Sequence, residues 1–289
     1  MIFLSLSPCP VPLVRRFTHV FRINICYNSP MFEAFVLGIV QGITEFLPVS
    51  SSAHLILFPW FLDWEGVVNS LSFGVALHFG TLIALLFYFR DEWIEVIRTA
   101  PKKEGMIWKL LAGTIPAGFA GFFFHDWFEG IRSPVVIVFT LCAVSVLMML
   151  SERSYKETGR LGVEQISLKD AVIIGIAQAF ALVPGVSRSG ITIVAGLSRR
   201  VRRDASARFS FLLSTPAVAG ASLLEGKNLL SSEGIDPGIF IVGIITSAIT
   251  GYFAVKFLLN FFRKHSLKPF AYYRFVLAFV IIITLWVKI

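Results

Sequence analysis

The stretch Gln41-Gly-Ile-Thr-Glu45-Phe-Leu-Pro48-Val-Ser50-Ser51-Ser52-Ala-His54 gathers an amide, a carboxylate, three consecutive serines and an imidazole inside an otherwise apolar run. Gln41 and Glu45 stand four residues apart, and Ser51 and His54 three apart, so each pair shares one helical face. A serine with a histidine and a carboxylate in reach supports nucleophilic attack, or attack by water assisted by a metal. A second stretch, Pro184-Gly185-Val-Ser187-Arg188-Ser189-Gly190-Ile-Thr192, suits an anion. Gly185 allows close backbone approach, Arg188 offers a planar fork of donors, and Ser187, Ser189 and Thr192 add hydroxyls. Together the two stretches read as a phosphoryl-transfer site in which Arg188 offsets charge developing on the phosphoryl oxygens. Plainer readings stand beside this one. Glu45 and Arg188 also make sense as a buried pair that only shapes the fold, and His54 as an interior histidine. His78, alone in an apolar span, reads as structural, and Lys256, Arg263 and Arg274 read as cations snorkelling from helix ends.

The rest of the chain has to hold these residues at depth. Of 289 residues, 56% are hydrophobic and 15% charged, and the mean hydropathy is +0.76. That composition is an integral membrane protein's, in which an ionisable side chain among apolar residues marks a functional site. The net charge of +8 then belongs to loops that orient the spans, and nucleic acid is not an expected partner. Cys9, Cys26 and Cys142 are odd in number and unpaired with histidines, which argues against a disulfide framework or a structural zinc. Six runs are long enough to cross a bilayer: about 71–89, 107–124, 133–150, 206–224, 238–262 and 271–287. Regions 32–62 and 168–198 are equally apolar, but Pro48 and Pro184 break them near the middle. Each reads as a pair of half-helices that enters the membrane and returns.

The predicted fold is therefore an all-α polytopic membrane protein built from two copies of one unit, a re-entrant helix hairpin followed by three transmembrane helices. Repeat one covers about 31–152 and repeat two about 168–289, in a single membrane domain, 31–289. Gly38 and Gln41 before Pro48 match Gly175 and Gln178 before Pro184 with a slip of one residue; Gly113 and Gly121 match Gly243 and Gly251; Pro134 matches Pro269. Three crossings per unit is odd, so the second copy is inverted. With hairpins returning to their own side, one face receives loops carrying Arg90, Arg98, Lys102, Arg153, Lys156, Arg160, Arg199, Arg200, Arg202, Arg203, Arg263 and Lys264, while the other holds Arg132, Lys227 and Lys288. The basic face is predicted cytoplasmic and both termini outside. Residues 1–30, with Pro8, Pro10 and Pro12 ahead of Arg15 and Arg16, suit neither a signal peptide nor a span. They read as a loose extension, or as an upstream-start artefact with Met31 as the true beginning.

Gln41 to His54, with Pro184 to Thr192, closely resembles the two signature motifs of the undecaprenyl-diphosphatase family, the bacitracin-resistance phosphatases. Similarity continues through Ile115-Pro116, Phe124-His125-Asp126, Phe209-Ser-Phe-Leu-Leu213 and Pro269-Phe-Ala-Tyr-Tyr-Arg274, covering about Met31 to Ile289. The resemblance implies an inverted-repeat fold in the plasma membrane and removal of the terminal phosphate from a C55 polyprenyl diphosphate. It implies dependence on a divalent cation, Mg²⁺ or Ca²⁺, and an active site open to the outer face. Glu45, Ser51, His54 and Arg188 take the family's catalytic positions, and Glu45 is the expected metal ligand. Gln41, Ser50, Ser52, Gly185, Ser187, Ser189 and Thr192 are the expected phosphate-binding set. Gln41 stands where the family often has Glu, which makes it a poor acid–base group. The nucleophile is left between Ser51 and an activated water. Partners are the lipid diphosphate and bilayer lipids, with a homodimer left open. The rival reading is a flippase or transporter of an isoprenoid phosphate, since paired broken helices also serve transport.

Overall fold

The computed structural model describes residues 29–102, 105–156, 160–230 and 236–288. The predicted extension, apart from Ser29 and Pro30, lies outside them. Among the described residues the structure is helical, with a single isolated bridge between Leu161 and Val201 as its only extended pairing.

Helices begin and end where local chemistry dictates. α1 (Pro30–Phe46) starts with proline in its first turn and stops ahead of Pro48, whose ring forces Leu47 to extended backbone, ψ 139°. α2 (Ser51–Leu62) is capped by the Ser50 hydroxyl, which accepts from the Ala53 N–H. α3 (Leu71–Tyr88) follows a cap from Ser70, α4 (Arg90–Arg98) is a short amphipathic helix, and α5 (Met106–Phe123) leads to the one-turn α6 (His125–Gly130). α7 (Pro134–Arg153) is capped by Ser133. In α8 (Leu168–Phe180) the Ser167 hydroxyl and the Asp170 carboxylate satisfy each other's backbone N–H groups in a capping box. α9 (Arg188–Ser198) is capped by Ser187, and α10 (Arg203–Leu230), α11 (Pro237–Phe261) and α12 (Lys268–Lys288) complete the chain. The predicted breaks at Pro48 and Pro184 are thus present, as α1/α2 and α8/α9.

Among the described residues five helices, α3, α5, α7, α11 and α12, are long and apolar enough to cross a bilayer. Phe119, Phe122, Phe139, Phe253, Ile283 and Trp286 lie exposed on these helices, as a hydrocarbon surrounding permits. The chain is a multi-pass helical membrane protein.

Packing between helices depends on missing side chains. α1 lies along α11, and α8 along α5. A Cβ on Gly38 would sit 2.9 Å from the Gly243 carbonyl oxygen, and one on Gly175 would sit 2.1 Å from that of Gly113. Without a hydrophobic effect between lipid-bathed helices, such close backbone approach is what van der Waals attraction has to work with. At one end of the molecule the loops after α3, α7, α9 and α11 meet. Arg208 pairs with Glu92 at 2.7 Å and Arg203 with Glu152 at 2.6 Å, while Glu152 also accepts from the Leu267 N–H. These are the loops whose cations the sequence placed on one face.

Candidate active site

The two helix breaks meet tip to tip. Ser50 and Ser187 both adopt positive φ, 77° and 75°, a region that costs a non-glycine residue about 1–3 kcal/mol. Each caps the helix that follows, and each contacts the serine two residues on, Ser50 with Ser52 at 3.2 Å and Ser187 with Ser189 at 3.3 Å. Across the junction Ser189 donates to the Leu47 carbonyl at 3.2 Å, and the Gly185 N–H makes a long contact, 3.5 Å, to the Ser52 hydroxyl.

At the edge of this junction the predicted residues converge on one carboxylate. Ser51 donates its hydroxyl proton to Glu45 Oε2 at 2.7 Å, and the Gln41 amide lies 3.1 Å from the same oxygen. Arg188 Nη1 stands 3.6 Å from Glu45 Oε1, an ion pair without a hydrogen bond. That nitrogen is buried and has no hydrogen-bond partner. A buried guanidinium donor left unmet is costly unless something accepts from it, and a phosphoryl oxygen is suited to do so. Ser51 and Arg188 are also the first residues of α2 and α9, so the positive ends of both helices point at the same place.

His54 is placed differently from what its spacing suggests. Its Nδ1 donates to the Ser50 carbonyl at 2.6 Å and its Nε2 accepts from the Tyr273 hydroxyl at 2.7 Å. Both nitrogens are engaged away from Ser51, and the ring stacks on Tyr273. The other predicted binding residues are mostly spent within the tips. Ser50, Ser187, Ser189 and Thr192 are buried, and Thr192 donates to the Arg188 carbonyl at 2.7 Å. Gly185 has φ +88°, and a Cβ there would stand 2.1 Å from the Thr140 hydroxyl, so its missing side chain makes room for α7. Ser52, in contrast, lines a cavity.

Two residues read as structural or snorkelling belong here. His78 lies 3.4 Å from Glu45 and 2.9 Å from the Gln41 amide. Arg274 does not snorkel: it is fully buried. Its guanidinium donates to the carbonyls of Gly185 at 3.0 Å, Val186 and Thr140 at 3.2 Å and Pro48 at 3.4 Å, and to the Ser145 hydroxyl at 3.2 Å. One side chain from α12 thus ties both hairpin tips to α7. A cation beside a helix start reads from sequence as a surface group, and only packing shows that carbonyls freed by two breaks await it.

A cavity of about 560 Å³ reaches this cluster. Ser52, Leu77 and His78 line its inner part, Trp60, Trp64 and Phe73 its walls, and Asp63, Glu65, Asn69 and Arg132 its outer part. Its outer residues sit on the loops after α2 and before α7, the end away from the paired arginines. Among the described residues no three His, Cys, Asp or Glu side chains come together, so a closed metal cage is not built. The cluster instead suits a cation shared with a ligand: it offers the Glu45 carboxylate and the Gln41 amide, whose Nε2 faces Glu45 and whose Oε1 is buried without a partner.

The arrangement defines a class of protein: a helical membrane protein whose two broken helices close around a serine–carboxylate–arginine cluster. The chain belongs to the family of bacitracin resistance protein BacA, whose family model matches residues 34–280. It is 51% identical to the undecaprenyl-diphosphatase of Thermodesulfovibrio yellowstonii over 253 residues, 87% of this chain and 96% of that protein. It is 46% identical to the enzyme of the same name from Elusimicrobium minutum over 262 residues, 89% and 98% of the two chains. The corresponding protein of Moorella thermoacetica is 42% identical over 264 residues, 89% and 99%.

Proposed function

We infer that the chain is an undecaprenyl-diphosphate phosphatase, releasing the terminal phosphate of the C55 lipid diphosphate at a site within the membrane. The observation that carries the chemistry is the Ser51–Glu45–Arg188 cluster, in which a hydroxyl is hydrogen-bonded to a carboxylate beside an unmet guanidinium donor. Ser51 Oγ attacks the terminal phosphorus while Glu45 takes its proton. The Oγ–P bond forms as the bridging P–O bond breaks, and the lipid monophosphate leaves. Water then attacks the phosphorus as the Ser51 Oγ–P bond breaks, Ser51 Oγ takes back the proton held by Glu45, and inorganic phosphate leaves carrying both protons of the water. Arg188 and the N-termini of α2 and α9 offset the charge on the equatorial oxygens throughout. His54, held by Ser50 and Tyr273, fixes the carbonyl of the strained residue next to the nucleophile. Glu45 and Gln41 would hold a divalent cation, which when bound neutralises diphosphate charge.

The cavity opens at the end without the paired arginines, which supports an outer-face site and an outward location of both termini. Six spans and two hairpins in inverted copies account for the matching caps of α2 and α9 and for the matched glycine contacts, α1 on α11 and α8 on α5. On this reading α10 is the sixth span.

Phosphate release from undecaprenyl diphosphate by the purified protein in detergent, with and without chelator, tests the reading. Release that stops with chelator and returns with divalent cation is expected. A protein that moves the lipid across a vesicle but frees no phosphate is a transporter, and the hydrolytic reading fails.

A further inference from the structure

We propose that the lipid-facing groove between α3 and α11 binds one anionic glycerophospholipid of the leaflet at the arginine-bearing face, with an acyl chain in the groove and the phosphate on Arg90 and Lys256. The groove shares no lining residue with the cavity that reaches Glu45, and the inference stands without the phosphatase reading.

The groove has a volume of about 260 Å³. Ala84 and Ala248 are its small residues, and Phe87, Ile249 and Phe253 stand beside them, each more than half exposed. Of its lining residues only Tyr252 has a polar side-chain atom. An apolar trough open to a bilayer is filled by hydrocarbon, and one of this volume takes an acyl chain; a helix, about 10–12 Å across with its side chains, does not fit.

The charges sit at one end. α3 and α11 run in the same direction, as the successive close approaches Leu77–Gly243, Gly80–Ser247 and Ala84–Gly251 show. One turn on, the rings of Phe87 and Tyr88 meet Tyr252, with centroids 5.8 and 5.6 Å apart. The Arg90 guanidinium folds back over Phe87, 5.5 Å from the ring centroid. Lys256, four residues after Tyr252 and on the same face of α11, is exposed. Both cations therefore border the end of the groove nearest the Arg208–Glu92 pair. Among the described residues Lys256 has no carboxylate partner, the Tyr252 hydroxyl has no hydrogen bond, and Arg90 has only the exposed Asp91 beside it, at 3.7 Å.

Two long-stemmed cations and a tyrosine at headgroup depth, with an apolar trough running from them toward the bilayer centre, match the parts of a phospholipid in order. Cations that serve topology alone need no trough beside them. A zwitterionic head neutralises its own phosphate, so the pair selects an anionic one by roughly tenfold or more. A second copy seated here by two-fold symmetry would bring its own Arg90 and Lys256 to the same depth, a repulsion that an anionic lipid does not meet.

The test uses the intact protein, delipidated in detergent and titrated with phosphatidylglycerol or phosphatidylcholine of matched acyl chains under native mass spectrometry. The expected result is one retained phosphatidylglycerol per chain, held at least about tenfold more tightly than phosphatidylcholine. Arg90→Gln with Lys256→Gln should bring the two lipids to within about threefold of each other. Lys156→Gln with Lys169→Gln, which removes the same charge from the same face, should leave the preference unchanged. Ala248→Leu, which fills the trough, should weaken phosphatidylglycerol by about tenfold or more. Equal retention of the two lipids by the wild-type protein overturns the proposal and needs no variant. So does a preference that survives the Arg90 and Lys256 substitutions, one lost equally in the control pair, or tight binding that survives Ala248→Leu. A dimer that forms without lipid and that Ala248→Leu splits gives the groove to a second copy and overturns the proposal as well.

Discussion

Ser50 and Ser187 share one backbone conformation, φ 77° and 75°, and each turns its hydroxyl back to cap the helix that begins beside it. The residue after each cap is one of the two proposed to act on phosphate: Ser51 after one, Arg188 after the other. The proposed nucleophile and the proposed anion binder are therefore presented by the same turn used twice.

That relationship makes Ser51 separable from the turn. Ser51→Ala removes the hydroxyl on Glu45 and leaves the Ser50 cap in place, so folding should be kept while kcat falls by at least about 10²–10⁴-fold. Steady-state phosphate release beside thermal unfolding in detergent checks this. Near-normal turnover would transfer the attack to water.

Arg188→Lys keeps one positive charge but loses the planar fork. Because Nη1 meets Glu45 without a hydrogen bond, little folding energy is at stake, and the loss should appear in catalysis, on the order of 10²-fold in kcat/KM. Equal activity of the lysine variant would show that charge alone suffices.

Arg274→Met should act on the fold. It removes the donor for carbonyls of both tips and α7, and each buried acceptor left unmet costs about 1–3 kcal/mol. Unfolding temperature is expected to drop together with activity. An inactive Arg274→Met of unchanged stability would place this arginine in the chemistry instead.

Gly175→Ala should destabilise by about 1–3 kcal/mol through overpacking, because the added carbon would meet the Gly113 carbonyl at 2.1 Å. Gly118→Ala, where nothing lies within 4 Å, is the control and should be near neutral. Comparable losses in both variants would mean that glycine flexibility, not close approach, is what α5 and α8 require.

Tyr273→Phe takes the donor from His54 Nε2. With the ring still stacked, a loss of about tenfold in kcat is expected, the worth of one buried hydrogen bond. A loss as large as that of Ser51→Ala would make His54 the proton carrier.

Helix breaks, caps and the pairing of the two motifs were legible because proline, serine and glycine act on the backbone within a few residues of themselves. The alignment of the two motifs was less so. Pro48 and Pro184 suggest a slip, yet nine residues separate Gln41 from Ser50 and Gln178 from Ser187 alike, so the hydroxyl cap rather than the proline sets the frame. The contacts of His78 and the burial of Arg274 were hidden for a common reason. Their partners are Glu45 on α1 and the carbonyls of two tips, brought near by packing over long separations, and nothing adjacent to either residue in sequence reveals it. His54 differs in the opposite sense: its spacing from Ser51 suits a shared face, but the carbonyl of Ser50 and the hydroxyl of Tyr273 engage the ring.

The position of Arg274 and Tyr273 on the last helix has a consequence for biosynthesis. The first hairpin leaves the ribosome early, but its turn and its histidine stay without their partners until the final span emerges. A chain arrested between residues 188 and 274 would carry Glu45, Ser51 and Arg188 yet lack the guanidinium that ties both tips to α7, so the last helix to be made is the one that locks the first break to the second.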